Sequence, residues 1–272
     1  NLKKDIADFL SLKEGIPVTY KAGDQPNNAL ALNVMLPGEV ATTAGTSGVI
    51  YGISNNLTFD QESRINSFAH VTHSKDDPRI GVLLCVNGVG IFNHWIKKIA
   101  GRNLNYAEMN QLADKIKPGS EGLVALPFGN GAERMLNNKL VGAHFHNIDL
   151  NIHSLPHLTR AVQEGIAFSF RYGLDIMREN GMKPQVVRAG RANMFLSPVF
   201  AHSFANVNNV KIEFYEGDGS YGAAIGAGIG AGIFSAEEAG KNRKPSGQIY
   251  PQDVAQFDEL YQKWKQELKK HL

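Results

Sequence analysis

Apolar and polar positions follow two rhythms along this chain, and the changes from one to the other mark its elements. Leu2, Ile6, Phe9 and Leu10 recur at helical spacing over Leu2–Leu12, and Gly15-Ile16-Pro17 ends that helix. Val18–Ala22 reads as a short strand and Ala29–Met35 as a helix. Past Pro37-Gly38, which reads as a hinge, the texture becomes β: Glu39–Ala44, Gly48–Ile53 and, after a polar turn, Arg64–His73. Ile80–Val86 is almost continuously apolar, a strand or a buried helix. Ile91–Ala100 places Ile91, Trp95, Ile96 and Ile99 on one helical face, and Gly101 stops it. Tyr106–Ile116 predicts another helix and Leu123–Phe128 a strand. Val141–Ile148 alternates, with His144 and His146 on one side.

Leu155–Asn180 is the longest predicted helix. Ser154 stands ready to cap it and Pro156 is tolerated in its first turn. Leu158, Val162, Ile166, Ser169, Tyr172 and Ile176 form its apolar stripe, while Gly165 and Gly173 are costly there unless another backbone lies close. Gln185–Arg188 and Val210–Tyr215 read as strands, separated by the turn Ala189–Met194 and a helix to Asn206. In Gly217–Phe234, glycines at 222, 226 and 230 give a bare face that predicts a helix packed closely on a sheet. Lys241–Gly247 is a polar loop. Pro251–Leu272 is an amphipathic helix with Val254, Phe257, Tyr261, Trp264 and Leu268 inward, its acids early and its lysines late as the helix dipole favours.

Composition narrows the class. The 272 residues are 43% hydrophobic and 20% charged, which suits one large or two smaller folded domains. A net charge of +2 is too mild to call for nucleic acid. One cysteine, Cys85, sits in the apolar run Ile80–Val86 and reads as a buried thiol; no disulfide framework is possible, so a reducing cytoplasm fits. The longest apolar run, Tyr221–Phe234, falls short of the ~20 residues that span a bilayer, so no membrane partner is expected. No Met begins the chain, and a piece of a longer protein is expected.

Candidate chemistry gathers in Tyr20–Gly48. Its first polar turn, Ala22-Gly23-Asp24-Gln25-Pro26-Asn27-Asn28, carries an acid at its apex. Asp24 can abstract a proton, or simply cap the helix that follows. The second turn, Gly45-Thr46-Ser47-Gly48, can offer backbone N–H groups and hydroxyls to an anion, or be a plain hairpin turn. Ala189-Gly190-Arg191-Ala192-Asn193 lies between strand and helix, where nucleotides often sit, although any tight turn of this kind favours glycine. Glu133 and Arg134 read as a surface pair. His144, His146, His153 and His157 raise a metal site, but no carboxylate or cysteine completes a recognisable spacing, and no metal ligand is assigned.

The order of these motifs resembles the C-terminal half of a carbohydrate kinase of the FGGY family, its xylulose-phosphorylating branch nearest, over about Val18 to Phe234. Ala22-Gly23-Asp24 with Asn27-Asn28-Ala29 is similar to the family's segment carrying the general base, and Ala44-Gly45-Thr46-Ser47-Gly48 to its second phosphate motif. Leu126-Pro127-Phe128 through Glu133-Arg134 resembles its Pro-Tyr…Gly-Glu-Arg loop, and Gly142 to Glu164 its second signature. Three residues depart: Asn147 stands in place of glycine, Gln163 in place of an apolar residue, and Arg191 interrupts the glycine run near adenosine.

The resemblance implies an α/β, ribonuclease-H-like (actin-like ATPase) domain with a short remnant of a preceding like domain. Residues 1–36 would be the tail of the N-terminal sugar domain, 37–240 the nucleotide-binding domain, and 241–272 a loop and terminal helix. It implies Asp24 as catalytic base, and ATP held by Gly45, Thr46 and Ser47 at the phosphates, Gly90 beside them, and Gly190, Ala192 and Asn193 at adenosine, with Mg2+ bridging the phosphates. The sugar implied is D-xylulose, giving xylulose 5-phosphate; glycerol, gluconate, fuculose, rhamnulose or a non-catalytic sensing module are the alternatives. This chain alone is expected to be inactive. Partners expected are the sugar and ATP, with a homodimer left open.

Overall fold

A computed structural model describes residues 1–272, and two short helices lead it: α1 (Lys4–Leu10) and α2 (Asp24–Ala31). The β-textured stretch then gives β1 (Val40–Ala44), β2 (Gly48–Ser54), β3 (Asn66–Ala69) and β4 (Ile80–Val86). Helices α3 (Gly90–Ile99) and α4 (Tyr106–Asp114) follow, then the hairpin of β5 (Val124–Phe128) and β6 (Gly142–His146). The long helix α5 (Leu155–Glu179) leads to β7 (Val186–Ala189), α6 (Pro198–Asn208) and β8 (Lys211–Phe214). The chain closes with α7 (Gly219–Gly230), α8 (Ala236–Lys241), β9 (Gly247–Ile249) and α9 (Val254–Lys269).

Seven strands make one mixed sheet in the order β3-β4-β2-β1-β7-β8-β9. The parallel pairs β1–β7 and β7–β8 stand at its centre; every other pair is antiparallel. The β1–β2 hairpin pairs Ala44 with Gly48, so Gly45, Thr46 and Ser47 form its turn. Parallel strands need crossover connections, and α5 and α6 supply them. Most of α5 is buried around its whole circumference, from Thr159 to Phe170. Its middle glycine explains how it fits: a β-carbon on Gly165 would stand 2.2 Å from the Ala125 carbonyl of β5. That same carbonyl accepts the indole N–H of Trp264 at 2.9 Å, which locks α9 onto the β5–β6 hairpin and α5.

One charged pair lies inside. Arg160 Nε donates to Glu164 at 2.7 Å, and the Gly119 N–H completes the carboxylate's shell at 3.1 Å. Burial pushes the Glu164 carboxyl up, against the downward pull of Arg160 and the Gly119 amide.

Several expectations are corrected. The expected apolar side of α1 is not buried: Phe9 is 84% exposed, Ile6 and Leu10 are exposed too, and only Ala7 of this helix is buried. Val18–Ala22 forms no strand. Helix α2 starts at Asp24, not Ala29, and ends before Met35. On α3 the inward residues are Phe92 and Ile96, while Trp95 and Ile99 face outward. Cys85 is half-buried. Glu133 and Arg134 do not pair with each other: Glu133 accepts from Asn87, and Arg134 donates to Asn66. The polar loop after Lys241 runs into β9, which begins at Gly247 and extends the sheet.

The glycine face of α7 packs on α2 rather than on the sheet. A β-carbon on Gly222 would stand 1.8 Å from the Asn27 carbonyl, and one on Gly226 2.4 Å from the Tyr20 ring. Close helix approach needs such bare positions. α2 is therefore held between α7 and a small apolar cluster of Ala29, Leu32, Val34, Ala41, Tyr51, Ile53 and Tyr215. Beyond it, Glu39 accepts the N–H groups of Met35 and Leu36 at 2.7 and 2.9 Å and receives Arg188 at 2.7 Å, so the segment around Pro37-Gly38 is tied to the sheet.

Candidate active site

The β1–β2 turn is the centre of the site because α3 docks on it end-on. Gly90 N–H donates to the Gly45 carbonyl at 2.8 Å and Ile91 N–H to the Thr46 carbonyl at 3.2 Å. With both carbonyls turned toward α3, the N–H groups of Thr46 and Ser47 donate to no other protein group. A turn whose carbonyls are occupied and whose amides are free is suited to an anion.

Two clefts open on either side of this turn and share Ala44, Gly45 and Asn193. The first, about 470 Å³, runs between the turn, α3, α4 and the segment after β7; Thr46, Gly90, Asn93, His94, Tyr106, Asn110 and Ser197 line it. The second, about 370 Å³, lies between the turn, α2 and the start of α7; Gln25, Asn28, Ser47, Gly190, Ala192 and Asp218 line it. The seven residues expected at phosphates and adenosine, Gly45, Thr46, Ser47, Gly90, Gly190, Ala192 and Asn193, are thus brought together although they span almost 150 positions of sequence. Asn193 adopts a left-handed φ of 53°, and its amide nitrogen reaches within 3.8 Å of where a β-carbon of Gly45 would stand.

Asp24 lies one residue before Gln25, outside the wall of the second cleft, in the first turn of α2. It is exposed, and Gly23 takes the N-cap position. Its Oδ1 accepts the Gln25 N–H at 2.9 Å and its Oδ2 the Gln25 amide at 3.2 Å. The helix dipole favours an anion there. Asp24, Glu133 and Arg134 all bear on the Cys85 thiol of β4: burial pushes it up, Glu133 and Asp24 add to the rise, and Arg134 opposes it. Asp218 caps α7, accepting from Ser220 and Tyr221, and its hydrogen bond from Ser220 draws its carboxyl down.

Two of the departing residues find a physical reason. Gln163 is fully buried; its amide donates to Asn110 at 2.8 Å and its carbonyl accepts Ser197 Oγ at 2.6 Å. Both partners line the first cleft, so Gln163 braces that wall from within. Arg191 turns away from both clefts and lays its guanidinium 5.0 Å from the centre of the Phe214 ring, beside Gly247. The β7–α6 turn itself stays open to the second cleft through Gly190 and Ala192.

Sequence reasoning missed the other lining residues. Asn93 carries a buried Oδ1 without a protein partner in the wall of the first cleft, and His94 Nδ1 pairs with the Tyr106 hydroxyl at 2.9 Å. Gln25 and Asn28 were visible only as neighbours of Asp24. No local signal marks Asn93 or Asn110, because they are polar residues on amphipathic helices.

The sheet order, the antiparallel hairpin beside a parallel pair, and clefts over the hairpin turn define an α/β domain of the ribonuclease-H-like, actin-like ATPase class. The C-terminal domain model of the FGGY family of carbohydrate kinases matches residues 40–231. The chain belongs to that family, whose members are phosphotransferases. It is 29% identical to the xylulose kinase of Lactococcus lactis subsp. lactis (strain IL1403) over 275 aligned residues, covering 97% of this chain and 53% of that protein. The fold matches that of the xylulose kinase of Rhodospirillum rubrum with a TM-score of 0.86 at 23% identity, over 98% of this chain and 54% of that one. It also matches the glycerol kinase of Plasmodium falciparum with ADP, with a TM-score of 0.84 at 20% identity, over 99% of this chain and 53% of that one. The chain spans about half the length of these proteins. No helix is long and apolar enough to cross a membrane.

Proposed function

We propose that the protein to which this chain belongs transfers the γ-phosphoryl group of ATP to a hydroxyl of a sugar, D-xylulose being the sugar its curated relatives favour. One observation carries the reading: the Gly45-Thr46-Ser47 turn presents free amides at the junction of two clefts, while α2 holds a carboxylate, Asp24, beside one of them.

Phosphoryl transfer is mainly positioning and charge stabilisation, and these residues divide that work. The amides of Thr46 and Ser47, with the Thr46 and Ser47 hydroxyls, hold phosphate oxygens. Gly90 keeps the turn in place without adding bulk, and Gly190, Ala192 and Asn193 contact the adenosine. Asp24 accepts the proton of the sugar hydroxyl as that oxygen attacks phosphorus. The donor set fits a nucleotide better than a bare cation: the second cleft offers amides and hydroxyls, and its one carboxylate, Asp218, is engaged in capping α7. Mg2+ would therefore arrive on the phosphates and supply charge neutralisation there. ADP release by the full-length protein, measured across D-xylulose, glycerol, gluconate, L-fuculose and L-rhamnulose, tests the assignment; release with none of them contradicts it.

A further inference from the structure

Three histidines that line neither cleft converge. β6 points His144 and His146 to one side, and the end of α9 brings in His271 from 125 positions further along the chain. One ring nitrogen from each lies within 4.8 Å of the others. His146 Nε2 and His271 Nε2 are 3.2 Å apart. Two imidazole nitrogens on one tetrahedral zinc, each at ~2.0–2.1 Å, stand about 3.3 Å apart.

On His144 and His146 the other ring nitrogen is already occupied. His144 Nε2–H donates to the Val141 carbonyl at 2.7 Å, which leaves Nδ1 as its free lone pair. His146 Nδ1 lies 3.3 Å from Glu267 Oε2, which leaves Nε2 to face His271. Zinc sites hold their histidines this way, with a carbonyl or carboxylate fixing the tautomer from behind. Lys270 Nζ meets Glu267 at 2.7 Å, and Lys139 donates to the Leu272 carbonyl, so the segment carrying His271 is itself pinned. All three histidines are half-buried, which leaves room for a solvent ligand in the fourth position.

We propose that His144, His146 and His271 bind one zinc ion, with Glu267 and the Val141 carbonyl as supports, and that the ion clamps the end of α9 to the β5–β6 hairpin. Its role is structural. The same helix carries Trp264, whose indole is bonded to Ala125, so the clamp adds a second fixed point to that contact.

The test is zinc titration of the full-length protein by calorimetry and by equilibrium dialysis with metal analysis. The wild type takes up one zinc that H146A and H271A do not. E267Q binds it about 10–100-fold more weakly, as supporting carboxylates do. Zinc raises the melting temperature of the wild type and leaves that of H271A unmoved, while H153A behaves as the wild type. H271A alters a half-buried residue beyond the last turn of α9, and its metal-free circular dichroism matches the wild type. The proposal is overturned if the wild type takes up no more zinc than H271A, or if H153A abolishes uptake as fully as H146A.

Discussion

Gly90 donates its backbone N–H to the Gly45 carbonyl at 2.8 Å, so the first residue of α3 is fastened to the turn of the β1–β2 hairpin. Nothing larger fits. A β-carbon on Gly90 would lie 2.5 Å from that oxygen, and the atom in the way is backbone rather than the end of a mobile side chain. Gly90→Ala must therefore displace the turn. We expect it to destabilise the full-length protein by about 1–3 kcal/mol in urea unfolding, and to weaken ATP binding measured by calorimetry. Unchanged ATP affinity with the stability loss would separate the turn from the nucleotide site.

Gln163 makes the wall of the first cleft depend on two polar contacts, from α5 to Asn110 of α4 and to Ser197 at the start of α6. Gln163→Leu restores an apolar residue but strands the Ser197 hydroxyl and the Asn110 carbonyl. The expected cost is about 1–3 kcal/mol, the penalty for unpaired buried polar groups. In a double-mutant cycle with Ser197→Ala, the two changes should couple by more than ~0.5 kcal/mol. Additive losses would show that Gln163 is only a tolerated polar residue.

His70 is buried against Tyr51, and its Nδ1 accepts the Thr72 N–H at 3.2 Å. Burial, aided by the positive charge of Arg79, holds its pKa down at about 4 against an ordinary 6.5. The folded state thus binds fewer protons than the unfolded state between these values. Stability is unaffected above pH 6.5 and falls as the pH drops from there toward 4, by roughly 3 kcal/mol in all. His70→Gln should remove that part of the slope in urea unfolding measured across this range. An identical slope in the variant would refute the assignment.

Much of this fold was legible because two apolar β-like runs flank Gly45-Thr46-Ser47 and the turn between them has hairpin length. The terminal helix was equally clear: Phe257, Tyr261, Trp264 and Leu268 are buried as their spacing requires. What failed were questions of partner. Periodicity finds an apolar face but not what covers it, so Phe9 was read as inward and is exposed. The glycines at 222, 226 and 230 announced a close approach, yet nothing local says that α2 and the Thr19–Tyr20 segment before it make it. On α3 the stripe had Ile96 right, but it took Trp95 and Ile99 as inward and left out Phe92. The site divided the same way. Its glycines and Asp24 stood out in known motifs, whereas Asn93, Asn110 and Ser197 come together only through tertiary packing. His271 could not be joined to His144 and His146 for the same reason, since 125 positions separate it from its nearer partner.

In the proposed reaction Asp24, in the first turn of α2, removes the proton from a sugar hydroxyl while the Gly45-Thr46-Ser47 turn holds the phosphates. Asp24→Asn keeps the side chain's size and its ability to accept from Gln25, but removes the base. The most direct measurement is steady-state ADP release by full-length Asp24→Asn with D-xylulose, paired with ATP affinity by calorimetry. We predict a fall in kcat of about 10²–10⁴-fold with ATP affinity unchanged. Turnover like that of the wild type would contradict the account.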